Sequence, residues 1–428
     1  MPTSPPLRKN AEHTYYGLTK GLCRICKNAV DAKIVFQDDQ VWFDKFCPDH
    51  GAQRALVSSS VEWYLDALSF IAPNDPPSKI KKEVSAKGGP FDCGPCASHQ
   101  QRTYLPVIPI TSACNLDCPI CYTVNKNENA HHLTPEAMKG ILDHLLADHR
   151  ELDIINFTGG EPTLHPQLLE FLQMCRDAGI KRLTISTNGL KLRDEEYVRK
   201  LAALDARIVL SLDTFDPAVD KIMLGANTVG AKLAALDLLE KHDVTTTLLP
   251  AVATGLNDKD LPRLFELMMA KPHICSLELH TLTFTGQGGV GFARTARITI
   301  PDLHRHLEGA SGGRLVARDF VPSPLAHAHC YSICYLLVLD SGGFVPLTRL
   351  LGRAKLYELL QDSLYIEPRE KLEETFRHLL DELWADPERF PEAQAVAATL
   401  KRLLGAMFPP GRPALSIPER QRLSERSV

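Results

Sequence analysis

Between residues 104 and 300, short apolar runs alternate with amphipathic stretches. The apolar runs are Leu105–Ile110, Leu152–Phe157, Arg182–Ser186, Arg207–Leu212, Val244–Ala251 and Leu277–Phe284. Each has the length of a buried strand rather than of a helix. The stretches near 134–149, 165–178, 193–204, 228–242 and 259–270 carry apolar residues at helical spacing. Strand–helix units of this size predict a parallel sheet with helices outside it. Six strands suit a partial (β/α)6 barrel, so the expected fold class is α/β.

The pattern changes on either side of this region. Residues 1–20 are Pro-rich and polar and are expected to be flexible, while 21–70 read as a compact metal-binding segment. Residues 71–103 form a linker with a Cys-x2-Cys pair, and the barrel is assigned to 104–300. An α+β extension is expected over 301–408. In it Leu336–Asp340, a Ser-Gly-Gly turn and Phe344–Leu347 predict a β-hairpin. Leu372, Phe376, Leu379, Leu380 and Leu383 mark one face of a helix, and a second helix is predicted over 391–407. The tail from 409 to 428 is expected to be flexible.

Composition narrows the class. A chain of 428 residues is long enough for two or three domains, and 44% hydrophobic with 23% charged residues is ordinary for a globular protein. A formal charge of −4 argues against nucleic acid as a partner. No apolar run reaches the roughly 18 residues of a membrane span, and Met-Pro-Thr-Ser-Pro-Pro at the start lacks the apolar core of a secretory signal. The expected location is the cytoplasm. In that reducing compartment the twelve cysteines read as metal or cluster ligands rather than disulfides.

Cys114, Cys118 and Cys121 stand at C-x3-C-x2-C spacing directly after the first barrel strand. Three thiolates can hold three irons of a 4Fe–4S cube and leave the fourth open to a substrate or cofactor. A structural zinc site is the alternative, but zinc takes four protein ligands, usually as two separated pairs. Loops at the C-terminal ends of parallel barrel strands form the active face, and further polar motifs fall there in order. Thr158-Gly159-Gly160-Glu161 ends the second strand, Ser186 and Asn188 the third, Ser211 and Asp213 the fourth, and Asn257 lies beyond the fifth. Two glycines allow close backbone approach, and Glu161 can meet an ammonium group.

The other cysteines form further sets. Cys23, Cys26, Cys47 and His50 have the spacing of a tetrahedral site for Zn2+ or mononuclear iron, structural in the simpler reading and electron-transferring in the other. Cys93 and Cys96, with His99 nearby, and Cys330 and Cys334 could supply four thiolates to an auxiliary Fe–S cluster if the C-terminal region folds back. Cys175 and Cys275 fall at apolar-face positions and read as core thiols.

Taken in order, these motifs resemble those of the radical S-adenosylmethionine (SAM) superfamily. The resemblance implies that the open iron binds SAM, whose reductive cleavage gives methionine and a 5′-deoxyadenosyl radical. It also implies that Gly159, Gly160 and Glu161 hold the methionine amino group. Ser186, Asn188, Ser211, Asp213 and Asn257 would face the ribose, carboxylate and adenine.

From about Leu22 to Leu351 the chain further resembles the branch of archaeal tetraether lipid synthases and bacterial membrane-spanning lipid synthases, some members of which are labelled hydroxymethylpterin methyltransferases. Leu282-Thr-Phe-Thr-Gly286, Asp319-Phe-Val-Pro-Ser-Pro324 and Val345-Pro-Leu-Thr-Arg349 carry that likeness. The branch commonly has cysteines where this chain has Tyr104 and Leu325. The implied activity is hydrogen abstraction from an unactivated C–H bond, with C–C coupling of lipid chains first, methylation of a pterin or other small molecule second, and peptide modification third. An iron–sulfur electron carrier or metal sensor is the alternative from another class. The implied partners are a flavodoxin or ferredoxin as electron donor, a lipid or small-molecule substrate, and transient contact with a membrane surface.

Overall fold

The computed structural model describes residues 12–70, 103–124, 127–148, 152–361, 365–409, 415 and 417–426. An antiparallel sheet opens the chain: β1 (Thr14–Leu22), β2 (Ala29–Gln37), β3 (Gln40–Cys47) and β4 (Gly51–Ser58), in that order. Strand β2 alternates exposed and buried side chains from Ala29 to Ile34, as a half-buried strand must. β1 begins inside the segment expected to be flexible. Its exposed alternation of Tyr, Leu and Lys gave no apolar run to read. Helix α1 (Val61–Leu68) follows, with Ser60 as its N-cap.

The barrel elements are β5 (Val107–Thr111), α2 (Pro135–Asp148), β6 (Ile154–Gly159), α3 (Leu168–Asp177), β7 (Arg182–Thr187), α4 (Glu195–Ala203), β8 (Ala206–Leu210), α5 (Pro217–Leu224), α6 (Val229–Lys241), β9 (Thr246–Leu248), β10 (Ala251–Val252), α7 (Leu261–Ala270), β11 (Ile274–Leu277) and β12 (His280–Thr281). Six strands form one sheet in the order β11-β9-β8-β7-β6-β5, every pair parallel. This is the expected partial barrel. The predicted fifth run breaks in two as β9 and β10, the predicted sixth starts only where β11 ends and holds β12, and β10 pairs with β12 in a separate short parallel ladder. Pro250 supplies no N–H at the break in the fifth run.

The two faces of the sheet differ in chemistry. Ile155, Phe157, Leu183, Ile185, Ile208, Leu210 and Leu248 point outward into one core, with Phe171, Leu172, Leu201 and Leu236 of the helices. Cys175 lies fully buried in that core, as its spacing implied. On the opposite parity, facing the lumen, stand Asn156, Thr184, Ser186, Arg207 and Thr247. Among the described residues no single helix is long and apolar enough to cross a membrane. α5 and α6 pass together on length and composition, but they meet at 97°, and residues of both pack into the fold.

Beyond the barrel come α8 (Gly288–Gly291), α9 (Ile300–Ala310), β13 (Val321–Pro322), β14 (Ser332–Ile333), the predicted hairpin as β15 (Leu336–Val338) and β16 (Phe344–Pro346), α10 (Leu347–Leu351), α11 (Arg353–Leu359), α12 (Glu370–Ala385), α13 (Ala393–Met407) and α14 (Ile417–Glu425). Leu372, Phe376, Leu379 and Leu383 of α12 meet Val396, Leu400 and Leu403 of α13 in a second core. Helix α14 lies in the segment expected to be a flexible tail; Gln421 there donates to Glu367 at 2.8 Å.

The N-terminal and C-terminal parts are tied together. Arg353 grips Asp66 through two hydrogen bonds of 2.9 and 2.6 Å. The His329 ring stacks on Tyr64 with centroids 3.9 Å apart. Ser59 donates to Asp302 at 2.8 Å, inside the capping box of α9.

Candidate active site

The Cys114–Cys121 loop leaves the C-terminal end of β5 and is held from three sides. Cys118 and Ile120 pack on Val219, Met223 and Leu224 of α5, and the Ile120 amide donates to the Met223 carbonyl at 3.1 Å. The Gly288 amide donates to the Cys121 carbonyl at 3.0 Å, and Thr285 Oγ1 donates to the Tyr122 carbonyl at 3.2 Å. Asn188 Nδ2 reaches Asn115 Oδ1 at 2.7 Å from the end of β7. All three thiols are part-buried. Burial first, and then the neighbouring thiols, pushes the Cys118 pKa up to about 12, and burial also raises Cys114. A pocket that buries the Cys114 and Cys118 thiols and raises their pKa values disfavours free thiolates and suits a cationic group that takes up their charge.

Gly159 and Gly160 serve this loop. A Cβ on Gly159 would lie 2.1 Å from the Thr111 carbonyl oxygen, and one on Gly160 would lie 2.3 Å from that of Ala113. The Gly160 and Glu161 amides donate to those two carbonyls, each at 2.7 Å. The glycines are therefore required by the chain's own cysteine loop. Glu161 is likewise turned inward: it is 1% exposed, and its carboxylate accepts from the Thr163 amide and hydroxyl, the Thr187 hydroxyl and the Asn188 amide. The side chain expected to meet an ammonium group instead ties the ends of β6 and β7 together.

Asp213 and Asn257 also join strand ends. Asp213 accepts from the Ala251 amide at 2.8 Å, while Asn257 donates to the Asp213 and Ala251 carbonyls and accepts from the Ala253 amide. Lys232, fully buried on α6, brings its Nζ within 3.7 Å of Asp213 Oδ2. Ser186 shares hydrogen bonds of 3.0 and 3.1 Å with Asn156 in the lumen, and Thr184 donates to the same Asn156 at 3.0 Å. Ser211 sits at the rim, its amide donating to the Thr187 carbonyl at 3.1 Å.

The second site is a metal centre in the N-terminal sheet. The ligand atoms of Cys23, Cys26, Cys47 and His50 all lie within 4.8 Å of one another. Cys26 Sγ is 3.9 Å from Cys47 Sγ, and His50 Nδ1 is 3.4 and 3.6 Å from the sulfurs of Cys47 and Cys23. A tetrahedral ion with Zn–S near 2.3 Å and Zn–N near 2.0 Å separates its ligands by about 3.5–3.8 Å, so the set fits. Burial raises the Cys23 thiol, but hydrogen bonds from Gln53 and the Ile25 and Cys26 amides outweigh it and bring the pKa to about 5. That is the thiolate a metal needs. Among the described residues this is the group gathered on single-ion spacing.

The C-terminal pair lies in two different surroundings. Cys330 is exposed, whereas Cys334 packs with Phe265, Leu315 and Phe344, and burial drives its thiol pKa far up. Cys93, Cys96 and His99 lie outside the described residues. Cys275 is part-buried on β11, its thiol directed at the Thr246 carbonyl.

Sequence reasoning missed α5, Asn156, Asn115, Lys232 and the hydrogen bond that Gln287 Nε2 donates to Asp117 Oδ1 in the cysteine loop. Asn156 had a signal, as an amide between Ile155 and Phe157 in a strand marks a polar inner face. The others depend on contacts between distant loops.

With this geometry the comparisons agree on class. A family model described as the Radical SAM superfamily matches residues 108–268, which supports membership of that superfamily, and the fold and metal-binding cysteines match those of radical SAM enzymes. A second model, described as the HMPTM N-terminal zinc ribbon domain, matches residues 15–59.

Among curated relatives, the chain is similar to 7,8-dihydro-6-hydroxymethylpterin dimethyltransferase of Methanocaldococcus jannaschii. The two are 26% identical over 372 residues, 81% of this chain and 73% of the relative. It is also 28% identical over 154 residues to a probable GTP 3′,8-cyclase of Sulfolobus acidocaldarius, covering 36% of this chain and 48% of that one. The chain thus spans about half the length of that cyclase. A crystal structure of Streptococcus suis SuiB bound to precursor peptide SuiA aligns with a TM-score of 0.41 and 20% identity, over 49% of this chain and 45% of that one.

Proposed function

We propose that this enzyme methylates a pterin or a closely similar small heterocycle. The observation that carries the proposal is the polarity of the barrel lumen. Asn156, Thr184 and Ser186 form one hydrogen-bonded set there, and Thr247 and Ser276 a second at 3.0 Å. Such a lumen suits a substrate rich in donors and acceptors. It would strand an acyl chain against desolvated polar groups. A relative matched over most of both chains carries a pterin methyltransferase name, which supports the same choice over C–C coupling of lipids. An apolar cleft of about 370 Å³ exists, but its lining of Leu383, Trp384, Pro387, Ala393, Gln394 and Ala397 belongs to the C-terminal helices and not to the strand ends.

In this proposal Cys114, Cys118 and Cys121 hold a 4Fe–4S cluster, and SAM lies between that loop and the ends of β6 to β9. Bound there, the cluster and SAM would supply an adenosyl radical that removes hydrogen. The chain's part is to set distances. Gly159 and Gly160 seat the cysteine loop against β6, and Glu161, Asp213 and Asn257 lock neighbouring strand ends so that the rim stays fixed. The zinc ribbon has a structural role, and a flavodoxin or ferredoxin would deliver the electron.

The test is anaerobic incubation of reconstituted protein with SAM, a reductant and 6-hydroxymethyl-7,8-dihydropterin. We expect a pterin product heavier by one or more methyl groups, with isotope-labelled SAM showing whether its methyl is the one transferred. Unchanged pterin, together with coupled chains from an added lipid extract, would overturn the proposal in favour of lipid coupling.

A further inference from the structure

We infer that Glu278 is the specificity residue at the barrel mouth. Its carboxylate would take the paired ring N–H and exocyclic amine of a 2-amino-4-oxopyrimidine edge. This inference rests on the small-heterocycle reading above.

Position comes first. Across the sheet Leu277 is in register with Leu248, Leu248 with Leu210, and Leu210 with Thr187. Glu278 is one residue further, level with Ser211 and Asn188 on the rim, and Asn188 touches the cysteine loop through Asn115. The Glu278 amide donates to the Leu248 carbonyl at 2.8 Å, which fixes its backbone. Ser276, two residues earlier, bonds Thr247 of the lumen. The alternation of a strand therefore turns Glu278 to the same side.

The side chain is half organised. Tyr331 donates its hydroxyl to Oε1 at 3.3 Å, and His280 Nε2 lies 3.0 Å from the same oxygen. Oε2 has no hydrogen-bond partner among the described residues, and the side chain is 32% exposed. One oxygen is thus held by the protein and the other is open to a ligand. The lumen amide and hydroxyls bond one another but keep spare donor and acceptor capacity for the rest of the ligand. Burial first, then Glu278 and the neighbouring Tyr365 and Tyr335, drives the Tyr331 hydroxyl pKa up, which keeps it a donor. Tyr331 also supplies an aromatic ring beside the carboxylate, on which a flat heterocycle can stack.

A carboxylate presents only acceptors, so it matches an edge of two adjacent donors. Pterins have that edge, and so does the guanine of GTP. The 2-oxo analogue of a pterin, a lumazine, replaces the amine donor with a carbonyl acceptor.

The experiment is anaerobic calorimetric binding to the full-length holoprotein, with 6-hydroxymethyl-7,8-dihydropterin, the corresponding lumazine and GTP as probes. Wild type should bind the pterin about 100-fold more tightly than the lumazine. Glu278→Gln offers one acceptor and one donor. It should weaken the pterin about 100-fold and shift preference to the lumazine, with ribbon metal content and melting temperature unchanged. Tyr331→Phe should weaken pterin binding less and keep the preference. A Glu278→Gln variant that still prefers the pterin would overturn the inference and leave the proposed function standing. Glu278-dependent binding of GTP in place of the pterin would uphold the role of Glu278 and overturn the pterin assignment. A wild type that binds none of the three would overturn both.

Discussion

Gln287 Nε2 donates to Asp117 Oδ1 at 2.7 Å, joining the loop after β12 to the middle of the cysteine motif 170 residues earlier. The neighbouring Gly286 makes the contact closer. It has φ +55°, and a Cβ there would lie 2.4 Å from the Tyr122 carbonyl carbon. Gly286→Ala should therefore push the cysteine loop away and add a backbone strain of about 1–3 kcal/mol. We expect the variant to fold with its ribbon metal intact and to retain less iron and sulfide after reconstitution. Gln287→Ala should show a weaker form of the same loss. Full iron and sulfide in Gly286→Ala would mean that this loop does not brace the motif.

The ribbon site should be structural. Structural zinc in small fingers is bound with an apparent free energy of about 10–16 kcal/mol. Chelation at neutral pH, or Cys47→Ser, should expose the segment 14–58 to trypsin while the barrel stays protected. One metal per chain should be lost with it. Resistance to trypsin after complete metal removal would show that the four strands fold without the ion.

Arg182 and Glu367 form a buried ion pair, with side chains 1% and 9% exposed, that fastens the C-terminal extension to the lower end of the barrel. Asp153 shares the same guanidinium. Removing Arg182 takes the cation from Asp153 and from the buried Glu367, which keeps its hydrogen bond from Gln421. Arg182→Met should destabilise the protein by about 3–5 kcal/mol in urea unfolding, and an added Glu367→Gln should recover part of that. A loss below about 1 kcal/mol would show that water reaches the pair.

His304 gives a signed pH effect. Burial lowers its pKa to about 4, with its ring stacked on Phe320 and its Nε2 3.0 Å from Ser332 Oγ. The unfolded chain, with a His pKa near 6.5, binds more protons than the folded one between about pH 4 and 6.5. The neutral-His stability is thus fully present above about pH 6.5 and declines as pH falls through that window, by up to about 3 kcal/mol. His304→Gln should flatten this part of the stability–pH curve relative to wild type. Parallel curves for the two proteins would show that His304 is not held neutral.

The barrel was legible because each strand has a continuous apolar outer face against helices, and that face recurs in the sequence with strand-and-helix spacing. Ile155, Phe157, Leu183 and Ile185 are such residues. The ribbon was legible because a single ion fixes the spacing of its ligands, and the ligand atoms of Cys23, Cys26, Cys47 and His50 converge. What sequence could not convey was direction. Glu161, Asp213 and Asn257 have the polarity of ligand contacts, but their side chains are turned to neighbouring strand ends, and only the register of those strands shows it. The reach of Tyr331 over the rim to Glu278, and of Gln287 to Asp117, depends on tertiary contacts with no local pattern.

Formation of 5′-deoxyadenosine by the anaerobically reconstituted full chain, given SAM and dithionite, tests the assignment of the Cys114–Cys121 loop most directly. Wild type should produce 5′-deoxyadenosine and methionine together, and Cys118→Ala should produce neither while keeping its ribbon metal. An iron-loaded wild type that leaves SAM intact, or a Cys118→Ala variant as active as wild type, would contradict it.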